Sequence, residues 1–307
     1  MPTPTVLVAV PTTGSRSTLF ELIDFLDTNR RQPGGAFDAC LIVNAARVPD
    51  GVKAAAEAAG IEVVHVPRPG LAQARNAALT AAAAYEFLIF VDDDEMPGPH
   101  WPSDLIAAAT DALADVAMGA IVGRIEGEVP WWLTGPELFR PTITSPAGRY
   151  AGEVYSSNTL VRMNMVTESG LRFDEDFDYS GAEDTDFFRR CRTKGASIIW
   201  VPESMVTETI DADRLRLSAY LRRSASESAV LWILEGRPEA NQGRSRVLTR
   251  RLGRAIRGLG RCVGGVATLN TARVVSGLND IAISYGTVAA AVGWHPAGYG
   301  ERVPRID

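Results

Sequence analysis

This 307-residue chain predicts an α/β fold on a mostly parallel, doubly wound sheet, with a helical C-terminal extension. Three observations lead there. Runs such as Val6-Leu7-Val8-Ala9-Val10 are continuously apolar and rich in β-branched residues, as strands buried on both faces are. Between such runs, apolar residues recur at helical spacing, as at Leu19, Leu22, Ile23 and Leu26. The run Phe87-Leu88-Ile89-Phe90-Val91 stops on four consecutive acids, Asp92-Asp93-Asp94-Glu95. In an open α/β sheet the carboxyl ends of the strands border the ligand crevice, so chemistry is expected there. Four adjacent anions raise one another's pKa values unless a cation or a set of donors takes up the charge. Oxygen-only donors suit a hard ion such as Mg²⁺ or Mn²⁺. The plainer explanation is a solvated acidic loop.

Taken in order, the first strand leads through the loop Pro11 to Ser17 into the Leu19–Leu26 helix. A second strand follows at 38–44, then an Ala-rich helix closing at Gly60 and a third strand, Ile61 to Val66. Pro67-Arg68-Pro69-Gly70 turns the chain into a helix from Leu71 to about Tyr85, which feeds the acid-ended strand. Pro97, Pro99 and Pro102 interrupt the chain before a helix through Leu105 to Leu113, and 116–125 reads as a strand. From Glu128 to Gly152 four prolines alternate with Trp131, Trp132, Phe139 and Tyr150. An irregular stretch of that length is expected to be a lid or binding surface, or an aromatic-anchored loop lying on the core. Strand character resumes at 154–163. A second acidic concentration, 174–186, precedes a helix from Phe187 to Lys194 with Gly195 as its stop. Acids in a first turn complement the helix dipole, which is their plainer role. Ser197 to Val201 is the last clear strand, and after about Asp213 the periodicity becomes that of long helices.

The composition, 46% apolar and 22% charged, is that of a globular protein. The net charge of −6 conceals an asymmetry: between Arg237 and Arg261 eight arginines face a single acid, Glu239, so that segment carries about +7 and the rest about −13. Such a balance does not suit a nucleic-acid binder. Cys40, Cys191 and Cys262 match no metal-ligand spacing and read as thiols in a reducing compartment. No signal-peptide pattern is visible at the N-terminus and no apolar run is long enough to span a bilayer, so a cytoplasmic location is expected. Leu248, Leu252, Ala255, Ile256, Leu259, Val263 and Val266 form one face of a basic helix over 244–266. That pattern suits either peripheral contact with the inner face of the cytoplasmic membrane or packing on the catalytic domain. The final Ala/Gly-rich helix, about 276–292, is placed against it or against a second subunit.

Six segments occur in the order seen in the family 2 inverting glycosyltransferases: VLVAVPTT (6–13), GLAQARN (70–76), FVDDDE (90–95), SNTLVR (157–162), GAEDTDFFRR (181–190) and WVPE (200–203). The resemblance covers roughly residues 5 to 235 and is nearest to bacterial exopolysaccharide enzymes of the succinoglycan glucosyltransferase kind. It implies a GT-A fold in a 1–212 catalytic domain, with a nucleotide-sugar half (about 1–126) and an acceptor half (about 127–212), followed by the helical region 213–307. It further implies nucleotide-sugar contacts from Pro11, Thr13, Asn44, Gly70, Arg75, Asp92 and Asp93. Asn44 stands where the family more often has Asp. Metal ligation is implied for Asp94, with Asp92, and the catalytic base is Asp184, with Glu183 orienting hydroxyls. Trp131, Trp132 and Asn158 are the expected acceptor contacts. Where relatives carry a His after the last strand this chain has Thr207, and the adjacent Glu208 is the candidate replacement ligand. A UDP-sugar donor, a saccharide or lipid-linked acceptor and Mg²⁺ or Mn²⁺ complete the expectation. A nucleotidyltransferase lacks support from the loop after the first strand, Pro11 to Ser17, whose only Gly and Arg are Gly14 and Arg16. A glycoside hydrolase leaves the strand-end acids unexplained, and the intact Asp92, Asp94, Glu183 and Asp184 speak against a degenerate binding protein.

Overall fold

The apolar runs form the centre of the sheet in a computed structural model of the chain, which describes residues 4–30, 37–133, 143, 145–178, 181–237 and 244–293. Two compact units divide it. The first spans Met1–Val122, Thr142–Asp178 and Glu183–Thr209, and the second Gly123–Pro141, Tyr179–Ala182 and Ile210–Asp307.

In the first unit β1 (Val6–Thr12) pairs in parallel with β2 (Asp38–Val43) and β4 (Phe87–Phe90), and β2 pairs in parallel with β3 (Glu62–His65). The intervening helices are α1 (Thr18–Asn29), α2 (Asp50–Ala59) and α3 (Leu71–Ala81). Each crossover between these strands is a helix, as parallel pairing requires. Alternation along β1 shows the double winding. Val6, Val8 and Val10 pack with Leu19, Leu22 and Leu26 of α1, while Leu7 and Ala9 pack with Ala74 and Ala78 of α3. Gly60 ends α2 at φ 61°, a left-handed conformation that costs Gly no Cβ clash.

Beyond β4 the sheet departs from the expected parallel pattern. Among the described residues the strand order is β3-β2-β1-β4-β8-β6-β9-β5, with β7 on β9. Here β5 is Glu95–Pro97, β6 Val116–Ile125, β7 Gly148–Arg149, β8 Thr159–Arg162 and β9 Ile198–Ile210. β4 with β8, β6 with β8, and β5 and β7 with β9 are all antiparallel. No helix is described between β6 and β8, and without a crossover element returning strands pair antiparallel. β9 also runs on past the expected end at Val201. It changes partner along its length, from β7 at Ile199 and Trp200 to β5 at 206–208, and Pro202 lies between the two pairings. α4 (Ser103–Asp111) and α5 (Met163–Ser169) complete this unit with α6 (Glu183–Thr193), which begins four residues before the expected Phe187. Cys40 and Cys191 are buried, and burial pushes both thiols up to about 12.

The second unit contains α7 (Leu217–Leu234), α8 (Arg244–Ala267) and α9 (Thr271–Ala291). Trp132, Leu133, Ile210, Tyr220 and Val275 form its core cluster. Among the described residues no helix is long and apolar enough to cross a membrane. Phe139, named from the sequence, lies outside the described residues.

Candidate active site

The acid run at the end of β4 closes on itself. Glu95 N–H donates to the Asp92 carbonyl at 3.1 Å, and the Glu95 carboxylate accepts Asp92 N–H at 3.1 Å. Ser157 Oγ donates to the other Glu95 oxygen. This turn sorts the four acids by alternation: Asp93 and Glu95 are buried, Asp92 and Asp94 partly exposed. Asp93 accepts Thr12 Oγ1 at 2.6 Å and pairs with Arg16 Nε at 3.3 Å, and its carbonyl accepts Thr18 Oγ1 at 2.7 Å. Thr12 Oγ1 in turn accepts Gly14 N–H at 2.8 Å. Asp93 therefore ties the β1–α1 loop to the acid turn, a different task from the donor contact expected of it. Arg16, which the sequence marked only as one of two notable loop residues, also reaches Asp94 Oδ2 at 3.1 Å. Pro11 is half-buried on β1 opposite Ile42, and Thr13 is exposed with its hydroxyl 2.8 Å from that of Ser15.

Asp94 is the group whose electrostatics ask for a cation. Its carboxyl is pushed up to about 6 by burial first and then by the Asp92 charge, with Glu208 and Asp93 adding to the rise and Arg16 opposing it. The β5–β9 register brings Glu208 there, since Glu95 faces Glu208 and Thr209 N–H donates to the Asp94 carbonyl at 3.2 Å. Thr207, at the position of the expected His, is paired with Met96. Among the described residues no three His, Cys, Asp or Glu side chains converge as a ready-made metal cage. The donor set fits a hard divalent ion held by Asp94 with Asp92 or Glu208 and completed by ligand phosphate and water, the usual arrangement for Mg²⁺ or Mn²⁺.

A second cluster forms where α3 meets α6. Arg75 Nη1 pairs with Glu183 Oε1, both residues being buried, while Arg75 Nε and Glu183 Oε2 have no hydrogen-bond partner among the described residues. The Arg75 guanidinium lies 5.9 Å from the Phe173 ring, itself stacked on Phe187 at 4.1 Å. Asp184 follows directly, its Oδ1 accepting Thr185 N–H at 2.6 Å. Burial raises the Asp184 pKa; Arg75 and the Thr185 and Ser156 amides pull it down, and Asp92 pushes it up. Asp92, Arg75 and Asp184 thus share one electrostatic environment.

The loop before α3 is held by two residues. Asn44 donates from Nδ2 to the carbonyls of Arg68 (2.8 Å) and Val66 (3.3 Å), and its Oδ1 accepts Gly70 N–H at 2.8 Å. Both amide hydrogens are spent, so Asn44 shapes the loop and does not present a free amide edge to a base. Asp178 accepts Gln73 N–H at 3.1 Å and Gln73 Nε2 at 2.7 Å, while Leu71 N–H donates to its carbonyl at 3.2 Å. A buried carboxylate thereby serves the open N–H groups at the start of α3. A Cβ on Gly70 would collide with that carboxylate, which is why the position before α3 is Gly. Reasoning from sequence missed Asp178; its signal was an acid closing the 3-10 turn Glu175–Phe177.

Two expected acceptor contacts are internal. Asn158 is 0% exposed, accepts Trp101 Nε1–H at 2.9 Å and donates to the carbonyls of Ala120 (2.8 Å) and Ser204 (2.9 Å). Trp132 is buried in the second unit, its indole N–H donating to the Leu215 carbonyl at 3.1 Å and its ring 5.5 Å from that of Tyr220. Neither side chain is placed to meet a ligand. Trp131 is 79% exposed.

The chain is 30% identical over 160 residues to the succinoglycan biosynthesis protein ExoM of Rhizobium meliloti (strain 1021), across 52% of this chain and 51% of ExoM, so it aligns with about half of that relative. The crystal structure of S. aureus TarS 1-349 in complex with UDP-GlcNAc superposes with a TM-score of 0.53 at 14% identity, over 99% of each chain. GalNAc-T7, solved with UDP, GalNAc and Mn²⁺, gives 0.56 at 15% identity over 78% of this chain and 52% of that one. These likenesses establish the GT-A architecture. The model of glycosyl transferase family 2 matches residues 8–174, more than half of the chain, and the protein belongs to that family.

Proposed function

We propose that the protein transfers a hexosyl group from a UDP-sugar to a saccharide or lipid-linked acceptor, with inversion, in the synthesis of a polysaccharide or glycoconjugate. One observation carries the reading: the buried Arg75–Glu183 pair ties α3 to the first turn of α6, where Asp184 follows Glu183, so a buried cation and a candidate base belong to one site. ExoM, a succinoglycan biosynthesis protein, supports the polymer context. The UDP-GlcNAc bound to TarS and the UDP and Mn²⁺ bound to GalNAc-T7 support the donor and ion classes.

Asp184 takes the proton from the acceptor hydroxyl as that oxygen bonds to the anomeric carbon. The bond from that carbon to the diphosphate oxygen breaks, and the electron pair leaves on UDP. One carboxylate acting opposite the leaving group gives a single displacement, and so a β-linked product from an α-linked donor. Asp94, with Asp92 and Glu208, would hold Mg²⁺ or Mn²⁺, which when bound offsets charge on the departing diphosphate. Arg75 holds Glu183 in place and keeps Asp184 more acidic than burial alone would. Glu183 Oε2, buried and without a hydrogen-bond partner among the described residues, is the oxygen assigned to orient a sugar hydroxyl.

The test is a panel of UDP-, GDP- and dTDP-hexoses with saccharide acceptors in Mg²⁺ and Mn²⁺, read by nucleoside diphosphate release and by NMR of the product anomeric proton. UDP release with a β-anomer is the expected outcome. An α-linked product would refute inversion. Pyrophosphate release from a nucleoside triphosphate and a sugar phosphate would replace the reading with nucleotidyl transfer.

A further inference from the structure

The C-terminal helices pack in the opposite sense to the one the amphipathic pattern of α8 suggests. The seam between α8 and α9 is lined by small residues: a Cβ on Gly258 would lie 2.8 Å from the Gly277 carbonyl, and one on Gly277 would lie 2.6 Å from the Cys262 sulfur. Arg254 and Arg261 reach across the same seam to the buried carboxylate of Asp280. Glycines let the two backbones approach closely, and the buried ion cluster fixes their register. The helix therefore turns its glycine and arginine face inward. Its apolar face is left outside.

Leu252, Ile256, Leu259, Val263 and Val266 are between 53% and 71% exposed. Their spacing of four and three residues puts all five on one stripe of the helix. Exposed Arg250 and Arg257 border it, and α8 carries seven arginines and no acid. A continuous exposed apolar row of this kind marks an interaction surface. Its charge decides what covers it. A second copy would set one arginine-rich helix against another with no acid on either to balance them, and like charges that close are destabilising. An anionic bilayer accepts the apolar stripe below the headgroups and supplies phosphates to the flanking arginines. We infer that α8 is an in-plane membrane anchor, which inserts Leu252, Ile256, Leu259, Val263 and Val266 into the interface of an anionic bilayer while Arg250 and Arg257 contact its phosphates. This surface stands independently of the reading of the catalytic site.

Co-sedimentation of the full chain with vesicles tests it, using phosphatidylcholine alone and an equal mixture of phosphatidylcholine and phosphatidylglycerol. The wild type should bind the anionic mixture and not the neutral vesicles. The double variant Ile256→Asp/Val263→Asp, at positions outside the packed seam, should bind at least about tenfold more weakly. Arg250→Gln/Arg257→Gln should bind more weakly at low salt and respond less to added salt. Circular dichroism should show all variants folded. Absence of binding to either vesicle, or equal binding by Ile256→Asp/Val263→Asp, overturns the proposal. A dimer in light scattering that this variant dissolves, without vesicle binding by the wild type, would give the stripe to a second copy instead.

Discussion

Arg75 of α3 and Glu183 of α6, 108 residues apart in sequence, form a buried ion pair directly beside Asp184. Each partner keeps one buried polar atom without a hydrogen bond among the described residues, Arg75 Nε and Glu183 Oε2. A pair this deep contributes less by its own attraction than its loss would cost, because removing one partner strands the other charge. Arg75→Ala should therefore destabilise the fold by about 3 to 5 kcal/mol, measured by urea unfolding. The double variant Arg75→Met/Glu183→Met should recover much of that stability while remaining inactive. If the double variant is as unstable as the single one, the stranded charge is not the cause.

Asp184 links activity and stability with opposite signs. Burial holds its folded pKa above the ordinary 3.8. The folded state then keeps a proton that the unfolded chain has lost, so this group's contribution to stability falls as pH rises through the window between 3.8 and its folded pKa. As a base it works only when ionised, so the acid limb of the rate profile should lie above 3.8. Asp184→Asn should reduce kcat by about 10² to 10⁴ and raise the melting temperature at neutral pH. A fall in both would show that Asp184 supports the fold more than the chemistry.

The acid turn should make activity depend on a divalent ion through Asp94 and not through Asp93. Asp93 is buried and accepts the Thr12 hydroxyl, whereas Asp94, which shares Arg16 with it, is partly exposed and pushed up by burial and then by the like charges around it. Excess EDTA should abolish turnover, with Mg²⁺ or Mn²⁺ restoring it. Asp94→Asn should raise the metal concentration needed for half-maximal rate by about tenfold or more, and Asp93→Asn should act on thermal stability. Full turnover in EDTA would remove the ion from the mechanism.

The strands and the acid-ended turn were legible because continuous apolar runs and helical periodicity are local signals, as in Val6 to Val10 and Leu19 to Leu26. What stayed hidden depended on partners distant in sequence. The amides of Asn44 and Asn158 look like ligand contacts in a motif, yet backbone carbonyls at 66, 68, 120 and 204 use them up. Asp178 and Arg16 acquire their roles only once the 3-10 turn and the β1–α1 loop are brought to α3 and the acid turn. The reversal of strand direction after β4 was equally invisible, since an apolar run does not record the direction of its neighbour. The apolar face of α8 was read correctly as a face, but periodicity does not reveal that glycines would take the packed side.

Gly70→Ala probes how closely the loop before α3 must lie to Asp178. The added methyl meets the carboxylate that accepts Gln73 N–H and Nε2, so either the loop or the acid must move. A loss of about 1 to 3 kcal/mol in stability is expected, together with a higher KM for the donor and a smaller change in kcat. Pairing it with Asp178→Asn, which relaxes the charge but not the volume, should leave most of the defect in place. Rescue by that second change would point to electrostatics instead of contact.

Asn158 and the two adjacent tryptophans separate packing from acceptor recognition. Asn158→Ala removes the partners of Trp101 Nε1 and of two carbonyls in a fully buried setting, so it should cost about 1 to 3 kcal/mol or more in unfolding free energy. Its backbone is left-handed at φ 50°, a region Asn enters more readily than Ala, and that adds to the loss. Trp132→Ala should destabilise the core around Tyr220 by about 3 to 5 kcal/mol. Trp131→Ala, at an exposed position, should leave stability unchanged and raise the acceptor KM. Measured side by side, melting temperatures should fall for Asn158→Ala and Trp132→Ala and hold for Trp131→Ala, with acceptor KM moving only in the last. A raised acceptor KM in Asn158→Ala, at a temperature where the variant is fully folded, would return that amide to the binding surface.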